Sequence, residues 1–307
     1  MSRGRGVVRL SAGAYTAEVA PVGAALQRLA FEGADLVVPA AADDPPATFR
    51  GVVVAPWPNR VVDGRYTFGG VEHQLPLNET ARGHALHGLS FDRSWVVVDE
   101  SASRVELRLD LLPQPGYPFG VRLEATYVLS AGGLRLDLAA TNTGDSPAPY
   151  GCTIHPYLTC GTPRVDEAVL ELPAATRLEV GERLVPAGTA PVEQVDSDFR
   201  RGAPVADRRI DHAFTDLTPD PDGTLSATLR RPGGGDPTPR GVRITWGSWA
   251  QWVQVHTADR PEPEADRIGL AVEPMSCAPD AFTSGDGLVV LGPGETHRAW
   301  WVLAAVA

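Results

Sequence analysis

The sequence contains no lysine, and all 27 of its basic residues are arginine. An enzyme that works through a Schiff base needs a lysine amine, so lysine-dependent aldolase and pyridoxal-phosphate chemistry are excluded. Cysteine is also scarce: the 307 residues include only Cys152, Cys160 and Cys277. An odd number of cysteines without a Cys-x-x-Cys pair predicts free thiols in a reducing compartment.

Long apolar runs are missing as well. No stretch approaches the ~18 residues of a membrane span, and no apolar segment follows the N-terminal arginines as in a secretory signal. The formal net charge is −11, and an acidic surface repels a phosphate backbone. We therefore expect a cytoplasmic protein that binds neither membrane nor nucleic acid.

Several signatures of cofactor and metal chemistry are absent too. The glycines at 233–235 lack the strand–helix context of a phosphate-binding loop, and there is no Gly-x-Ser-x-Gly elbow. His84 and His87 have the spacing of a metal pair, but the HExxH and His-x-His patterns are missing. We expect neither a cofactor nor a catalytic metal.

What the sequence does contain is alternation of apolar and polar residues. This pattern is typical of half-buried strands, because successive side chains of a strand point to opposite faces. It predicts strands at 105–111, 121–127, 134–138, 225–229 and 252–256. Gly, Pro and Asp punctuate the runs, and residues 231–240 and 259–267 are predicted loops. No long window has helical periodicity, so we predict an all-β sandwich or barrel in one domain over residues 1–307.

Polar residues in unusual contexts are the candidates for chemistry. Glu273 directly follows an apolar run, where an ionised carboxylate is costly to bury unless it is paired. It therefore lies either on the solvent face or in a site. His87, His155 and His212 stand outside simple strand patterns, and Asn59-Arg60 is a polar pair that ends another apolar run.

Taken together, these segments resemble the aldose 1-epimerase (galactose mutarotase) family over nearly the whole chain. The motifs occur in the family's order and spacing: Pro56–Arg60, Gly64–Gly70, Gln74–Asn78, Leu86–Gly88, His155–Tyr157, Asp211–Phe214, Glu273-Pro274 and Pro293–Glu295. Each motif alone is weak, but the ordered series is specific.

The resemblance implies a large antiparallel β-sandwich, the galactose mutarotase-like supersandwich, and an isomerase. It implies that Glu273 is the catalytic base, that His155 is the catalytic acid and that His87 is a second site histidine. Arg60 and Asp211 resemble residues that bind sugar hydroxyls.

Asn59, in the same motif as Arg60, is a further candidate for sugar binding. The sequence departs from the galactose-specific pattern at His84, where that pattern has Asn, and at Leu89, where it has a second glycine. These departures keep the catalytic acid and base, but they leave the identity of the sugar undecided. We expect a free aldohexose such as glucose or galactose.

Mutarotation needs an acid and a base together, because the anomeric hydroxyl loses a proton while the ring oxygen gains one. In this scheme Glu273 accepts the proton of the C1 hydroxyl, and His155, charged and favoured in that form by a nearby carboxylate, protonates the ring oxygen. His87 stabilises developing charge. No redox step or group transfer occurs, so no cofactor is required.

Three alternatives stay open at this level. A phosphorylated hexose would need an arginine cluster, for which Arg200-Arg201 and Arg208-Arg209 are candidates. A non-catalytic carbohydrate-binding module or a metal-dependent isomerase could use a similar scaffold.

The sequence leaves the oligomeric state open between monomer and homodimer. Tryptophans are usually buried, so we expect core packing rather than sugar stacking for Trp57, Trp249 and Trp252.

Overall fold

The structure, a computed structural model, describes residues 6–40, 49–232 and 241–306. These residues form an all-β protein. Its strands are β1 (Val8–Ala12), β2 (Tyr15–Ala20), β3 (Ala25–Phe31), β4 (Ala34–Asp35), β5 (Val53–Val54), β6 (Arg60–Val61), β7 (Arg65–Phe68), β8 (Val71–Gln74), β9 (Ala85–Leu86), β10 (Val96–Glu100), β11 (Arg104–Leu111), β12 (Val121–Ser130), β13 (Gly133–Asn142) and β14 (Ala148–Tyr150).

The second half of the chain continues in the same way. Its strands are β15 (Thr153–Ile154), β16 (Tyr157–Leu158), β17 (Val169–Glu171), β18 (Ala174–Val180), β19 (Pro186–Pro191), β20 (Ala203–Pro204), β21 (Asp211–Leu217), β22 (Leu225–Arg230), β23 (Gly241–Trp246), β24 (Trp252–His256), β25 (Leu270–Met275), β26 (Val289–Leu291) and β27 (Thr296–Val306). Helical structure in the described ranges is limited to α1 (Ala281–Ser284) and 3-10 turns at Val62–Gly64, Val165–Glu167, Glu182–Leu184 and Val192–Gln194.

Two large antiparallel sheets dominate the architecture. One has nine strands in the order β10-β11-β12-β13-β27-β23-β22-β17-β20, and the other has six in the order β16-β25-β24-β21-β18-β19. A four-stranded sheet, β1 to β4, and four two-stranded ribbons complete the structure. The predicted fold class, a large antiparallel β-sandwich, is confirmed.

All five strands predicted from alternation are present. In β12, buried and half-buried residues alternate along the strand from Val121 to Leu129, as expected when one face packs on the core and the other faces solvent. The predicted loop at 259–267 is also free of strands. Most of the predicted loop at 231–240 lies outside the described residues.

The six-stranded sheet differs from this pattern because its middle is buried on both faces. Every residue of β25 is buried, and β24 is buried except at His256. A polar side chain on such a strand cannot reach bulk solvent, so it needs a partner or a cavity.

Strand register brings the polar residues of this sheet together. In the antiparallel pairs, Gln254 lies opposite Glu273, and Asp211 lies opposite His256. Gln254 and His256 are two residues apart, so both point to the same face of the sheet. β16, which follows His155, pairs with the other edge of β25.

The three cysteines are free and buried. None of the helices in the described ranges has the length and hydropathy that crossing a bilayer requires.

Candidate active site

A cavity of about 510 Å³ is lined in part by residues of β21, β24 and β25 in the six-stranded sheet. All six residues predicted for the site line it: Asn59, Arg60, His87, His155, Asp211 and Glu273. They come from five separate parts of the chain, so the fold alone brings them together.

Glu273 and His155 form the deepest part of the cavity. Glu273 is 1% exposed and His155 is 4% exposed. Glu273 Oε1 lies 3.3 Å from His155 Nε2, whereas Glu273 Oε2 is buried without a hydrogen-bond partner among the described residues. The His155 ring stacks on Tyr157, with ring centroids 5.2 Å apart, and its backbone N–H donates to the carbonyl of Val52.

Burial controls the protonation of this pair. It raises the pKa of Glu273 well above its usual value, helped by repulsion from Asp211 and opposed by Arg60. It also lowers the pKa of His155 to about 3, helped by His256. We had expected the carboxylate to favour a charged imidazole. That expectation was wrong, because desolvation outweighs the attraction.

His87 packs against His155 in the lining of the cavity. The two rings meet edge to face with centroids 5.0 Å apart. His87 has a left-handed backbone (φ 58°), and its N–H donates to the Asn59 carbonyl at 2.8 Å. Burial, helped by the neighbouring His155, lowers the pKa of His87 well below its usual value. His87 is therefore neutral at pH 7.

Arg60 is fixed by a bidentate ion pair. Its Nε and Nη2 donate to the two carboxylate oxygens of Glu79 at 2.8 and 3.0 Å. Burial raises the pKa of Glu79, but hydrogen bonds and charge from Arg60 and Arg82 outweigh it, so the pKa is below its usual value. Asn59 also has a left-handed backbone, and its Oδ1 accepts from the Arg60 N–H.

Asp211 also lines the cavity. Its Oδ1 accepts a hydrogen bond from Gln254 Nε2 at 2.7 Å, and its Oδ2 lies 3.8 Å from Arg60 Nη2. His256 Nδ1 is 4.0 Å from the same carboxylate. These contacts orient Asp211 towards the cavity while leaving acceptor capacity for a ligand.

Sequence reasoning missed several wall residues, namely Phe49, Glu79, Tyr157, Gln254 and His256. A signal for two of them was present: Gln254 and His256 are polar residues at alternate positions of a strand whose other residues are apolar. Glu79 was hidden because a carboxylate in a turn is typical of solvent-exposed loops.

Other singled-out residues lie elsewhere. His84 is occupied on both ring nitrogens, by the Asp63 N–H and the Arg183 carbonyl, so it does not pair with His87. His212 does not line the cavity. Trp57, Trp249 and Trp252 pack in hydrophobic clusters rather than on the cavity wall, as predicted.

The predicted arginine cluster is also outside the cavity. Arg200 pairs with Asp198, Arg208 pairs with Asp196, and Arg209 is directed to solvent with Asp259 at 3.8 Å. The arginines at the cavity besides Arg60 are instead Arg82 and Arg260.

One group of side chains in the described ranges has the composition of a metal site. His87, His155 and Glu273 offer ligand atoms that all lie within 4.8 Å of one another. These are also the three residues that sequence reasoning selected for acid–base chemistry. The arrangement can therefore transfer protons or bind a cation, but the two uses exclude each other.

Comparison with known proteins supplies the family. The family model for aldose 1-epimerase matches residues 6–304. The chain belongs to the aldose 1-epimerase family. It is therefore an isomerase of the mutarotase class.

Individual relatives add detail. An uncharacterised protein of Escherichia coli, YihR, is 38% identical over 295 residues, which cover 96% of this chain and 91% of YihR. Mouse galactose mutarotase is 31% identical, but over only 50% of this chain and 46% of its own length. The crystal structure of a GalM/aldose epimerase homologue from C. elegans has the same fold, with a TM-score of 0.82 and 22% identity over 98% of this chain and 99% of that one.

Proposed function

We propose that this epimerase interconverts the α and β anomers of a free aldohexose, with glucose and galactose as the first sugars to test. The observation that carries the proposal is the buried Glu273–His155 pair at the base of the cavity. Burial disfavours both the fully deprotonated and the doubly protonated pair, since each leaves an uncompensated buried charge. The pair therefore holds one proton and can act as acid and base together.

The proposed reaction uses that single proton. Burial favours the proton of the pair on Glu273, so the reaction begins when that proton passes to His155 over the 3.3 Å between Oε1 and Nε2. With the sugar bound, Glu273 then accepts the proton of the C1 hydroxyl while His155 donates its proton to the ring oxygen, which breaks the C1–O5 bond. Rotation about C1–C2 exposes the other face of the aldehyde. Ring closure then reverses the two transfers, so the pair ends as it began. His87, neutral and close to His155, donates a hydrogen bond to the oxygen that gains charge.

Sugar recognition is proposed for Arg60, Asp211 and Asn59. Arg60 and Asp211 are each held by a fixed partner, Glu79 and Gln254 respectively. A ligand therefore meets them in one orientation, which reduces the entropic cost of binding. A guanidinium donates and a carboxylate accepts, so together they can distinguish hydroxyls of different orientation.

The test is polarimetry of freshly dissolved α-D-glucose and α-D-galactose with and without the protein. Glu273→Gln and His155→Asn should each reduce turnover by about 10²–10⁴-fold, the usual weight of general acid–base catalysis. His73→Asn serves as the control, because His73 lies on β8 away from the cavity. Wild-type activity in Glu273→Gln would refute the assignment of the base. Sugar binding without acceleration would instead indicate a binding module.

A second candidate is a hexose with an anionic substituent. Arg82 and Arg260 both line the cavity at exposed positions, and Arg260 lies beside the Tyr157 hydroxyl. Guanidinium groups are well suited to phosphate and related anions. Hexose 6-phosphates would then be better substrates than free hexoses in the same assay. Equal or lower kcat/KM for the phosphorylated sugars would exclude this candidate.

We further propose that residues 1–307 form one domain and that the protein is cytoplasmic. The free, buried state of all three cysteines is consistent with a reducing compartment. A monomer or homodimer is expected, which light scattering would distinguish.

A further inference from the structure

The three residues proposed for acid–base chemistry also have the composition of a metal site. Two imidazoles and a carboxylate are ligand types that Zn²⁺ and Cu²⁺ prefer. His87, His155 and Glu273 present these groups on three different elements, and all three side chains are buried.

The distances within the group suit a tetrahedral ion. Ligand atoms placed about 2.1 Å from zinc in a tetrahedron lie about 3.4 Å apart. His155 Nε2 and Glu273 Oε1 are 3.3 Å apart, and the ligand atom of His87 is within 4.8 Å of both. A small movement of the His87 ring would therefore complete three-point coordination.

Glu273 supplies an independent observation. Glu273 lines the cavity, and its Oε2 is buried without a hydrogen-bond partner among the described residues. An unpartnered carboxylate oxygen at such depth indicates that a ligand binds there. The cavity of about 510 Å³ in front of it leaves room for a fourth ligand such as water.

We propose that His87, His155 and Glu273 bind a divalent transition-metal ion, Zn²⁺ or Cu²⁺, in place of the sugar. The ion would occupy the space in which the anomeric and ring oxygens react, so binding is competitive. The claim that the ion competes with the sugar rests on the proposed function, whereas the claim that the protein binds the ion does not.

The surroundings of the histidines set the strength of this site. A zinc-binding histidine usually donates its other ring N–H to a carboxylate or carbonyl. Here Nδ1 of both His87 and His155 has no partner in the described ranges, and the rings are held by Phe49, whose centroid lies 4.6 Å from that of His87. The structure thus assigns a reversible inhibitory site, from which EDTA removes the ion, rather than a resident metal centre.

The first test is calorimetric titration of the untagged full-length protein with ZnCl₂ in a buffer that does not bind metals. We expect one Zn²⁺ per chain and no binding of Mg²⁺, which prefers oxygen ligands. His155→Asn and Glu273→Gln should each weaken Zn²⁺ binding at least ~10-fold, the smallest effect usual even for indirect ligand contacts. His73→Asn is the matched control and should bind as the wild type does. No Zn²⁺ binding, or equal binding by the variants, would overturn the proposal.

A measurement on the wild-type protein guards against misfolded variants. Co²⁺ in a tetrahedral site absorbs in the visible range, so titration should give bands that one equivalent of Zn²⁺ abolishes. Spectra typical of octahedral Co²⁺ would contradict the assigned geometry. In the polarimetric assay, Zn²⁺ should raise KM without changing kcat, and EDTA should restore activity. If Zn²⁺ binds without inhibiting mutarotation, the claim of competition with the sugar is wrong, but the metal site stands. If the protein has no mutarotase activity at all, the proposed function fails, and the binding result is unaffected.

Discussion

A single proton shared by two buried side chains governs the proposed chemistry. Glu273 and His155 have ordinary pKa values near 4 and 6.5, which would leave both ready to change charge in mildly acidic solution. Burial moves the two pKa values past each other, with that of Glu273 raised and that of His155 lowered to about 3. The result is a pair that keeps its proton over a wide range of pH.

This pair predicts a broad pH profile. Loss of activity at low pH requires a second proton on the pair, and the lowered pKa of His155 confines that to strongly acidic solution. Loss at high pH requires removal of the only proton, which the raised pKa of Glu273 delays. We expect kcat/KM, corrected for spontaneous mutarotation, to be flat between about pH 5 and pH 8.

A titration near pH 6.5 would contradict this prediction, because it would show that the ordinary histidine pKa survives in the site. His155→Asn provides the comparison. Its residual activity should depend on the protonation of Glu273 alone, so its profile should differ in shape from that of the wild type.

The turn that follows β9 shows how a short element positions a site residue. Gly88 has φ +70°, and a Cβ there would overlap the carbonyl oxygen of Ala55. That carbonyl accepts a hydrogen bond from the Leu89 N–H, so it cannot move away freely. Glycine at this position lets the chain pass close to Ala55 and holds His87 against the cavity.

Gly88→Ala should therefore damage both stability and activity. Positive φ and the clash together should cost about 3 kcal/mol or more in the free energy of unfolding. Gly161→Ala is the control, because Gly161 has φ +78° but open space around it, so only about 1 kcal/mol is expected. Thermal and urea denaturation would measure both. Equal losses for the two variants would show that contact with Ala55 does not matter.

At the level of the entire molecule, the two large sheets meet beneath the site. Trp301, on β27 of the nine-stranded sheet, is fully buried and donates its indole N–H to the carbonyl of Pro274 at 3.3 Å. Pro274 follows Glu273 on β25, and its carbonyl also accepts from the hydroxyl of Thr153. The packing of one sheet on the other thus helps to set where Glu273 lies.

Trp301→Phe should reveal this connection. We expect a loss of about 2 kcal/mol in stability from the smaller ring and the lost hydrogen bond, and about tenfold lower kcat because small displacements of catalytic groups are costly. Trp246→Phe is the matched control. Trp246 is the cross-strand partner of Trp301, and its indole N–H donates a hydrogen bond to the carbonyl of the nearby Ala250. It should lose similar stability but keep kcat. If kcat is unchanged in both variants, the contact between Trp301 and Pro274 does not influence the position of Glu273.

Much of the fold and of the site could be predicted from the sequence. Alternation located β11, β12, β13 and β22, because a half-buried strand imposes a period of two. It also located β24, where the polar residues Gln254 and His256 line the cavity instead of facing solvent. The fully buried β25 shows no such alternation. What suggested a site there was Glu273 at the end of its apolar run, and resemblance to a family supplied its role.

The sequence by itself determined the strand pattern, the absence of lysine chemistry and the set of polar residues that stand out from apolar surroundings. Only the tertiary structure decided which of these residues meet, because register and sheet packing join positions far apart in the chain, as with Gln254 and Asp211. It also decided their charge. A pKa in the interior depends on desolvation, and the depth of His155 below the surface is a property of the folded chain alone.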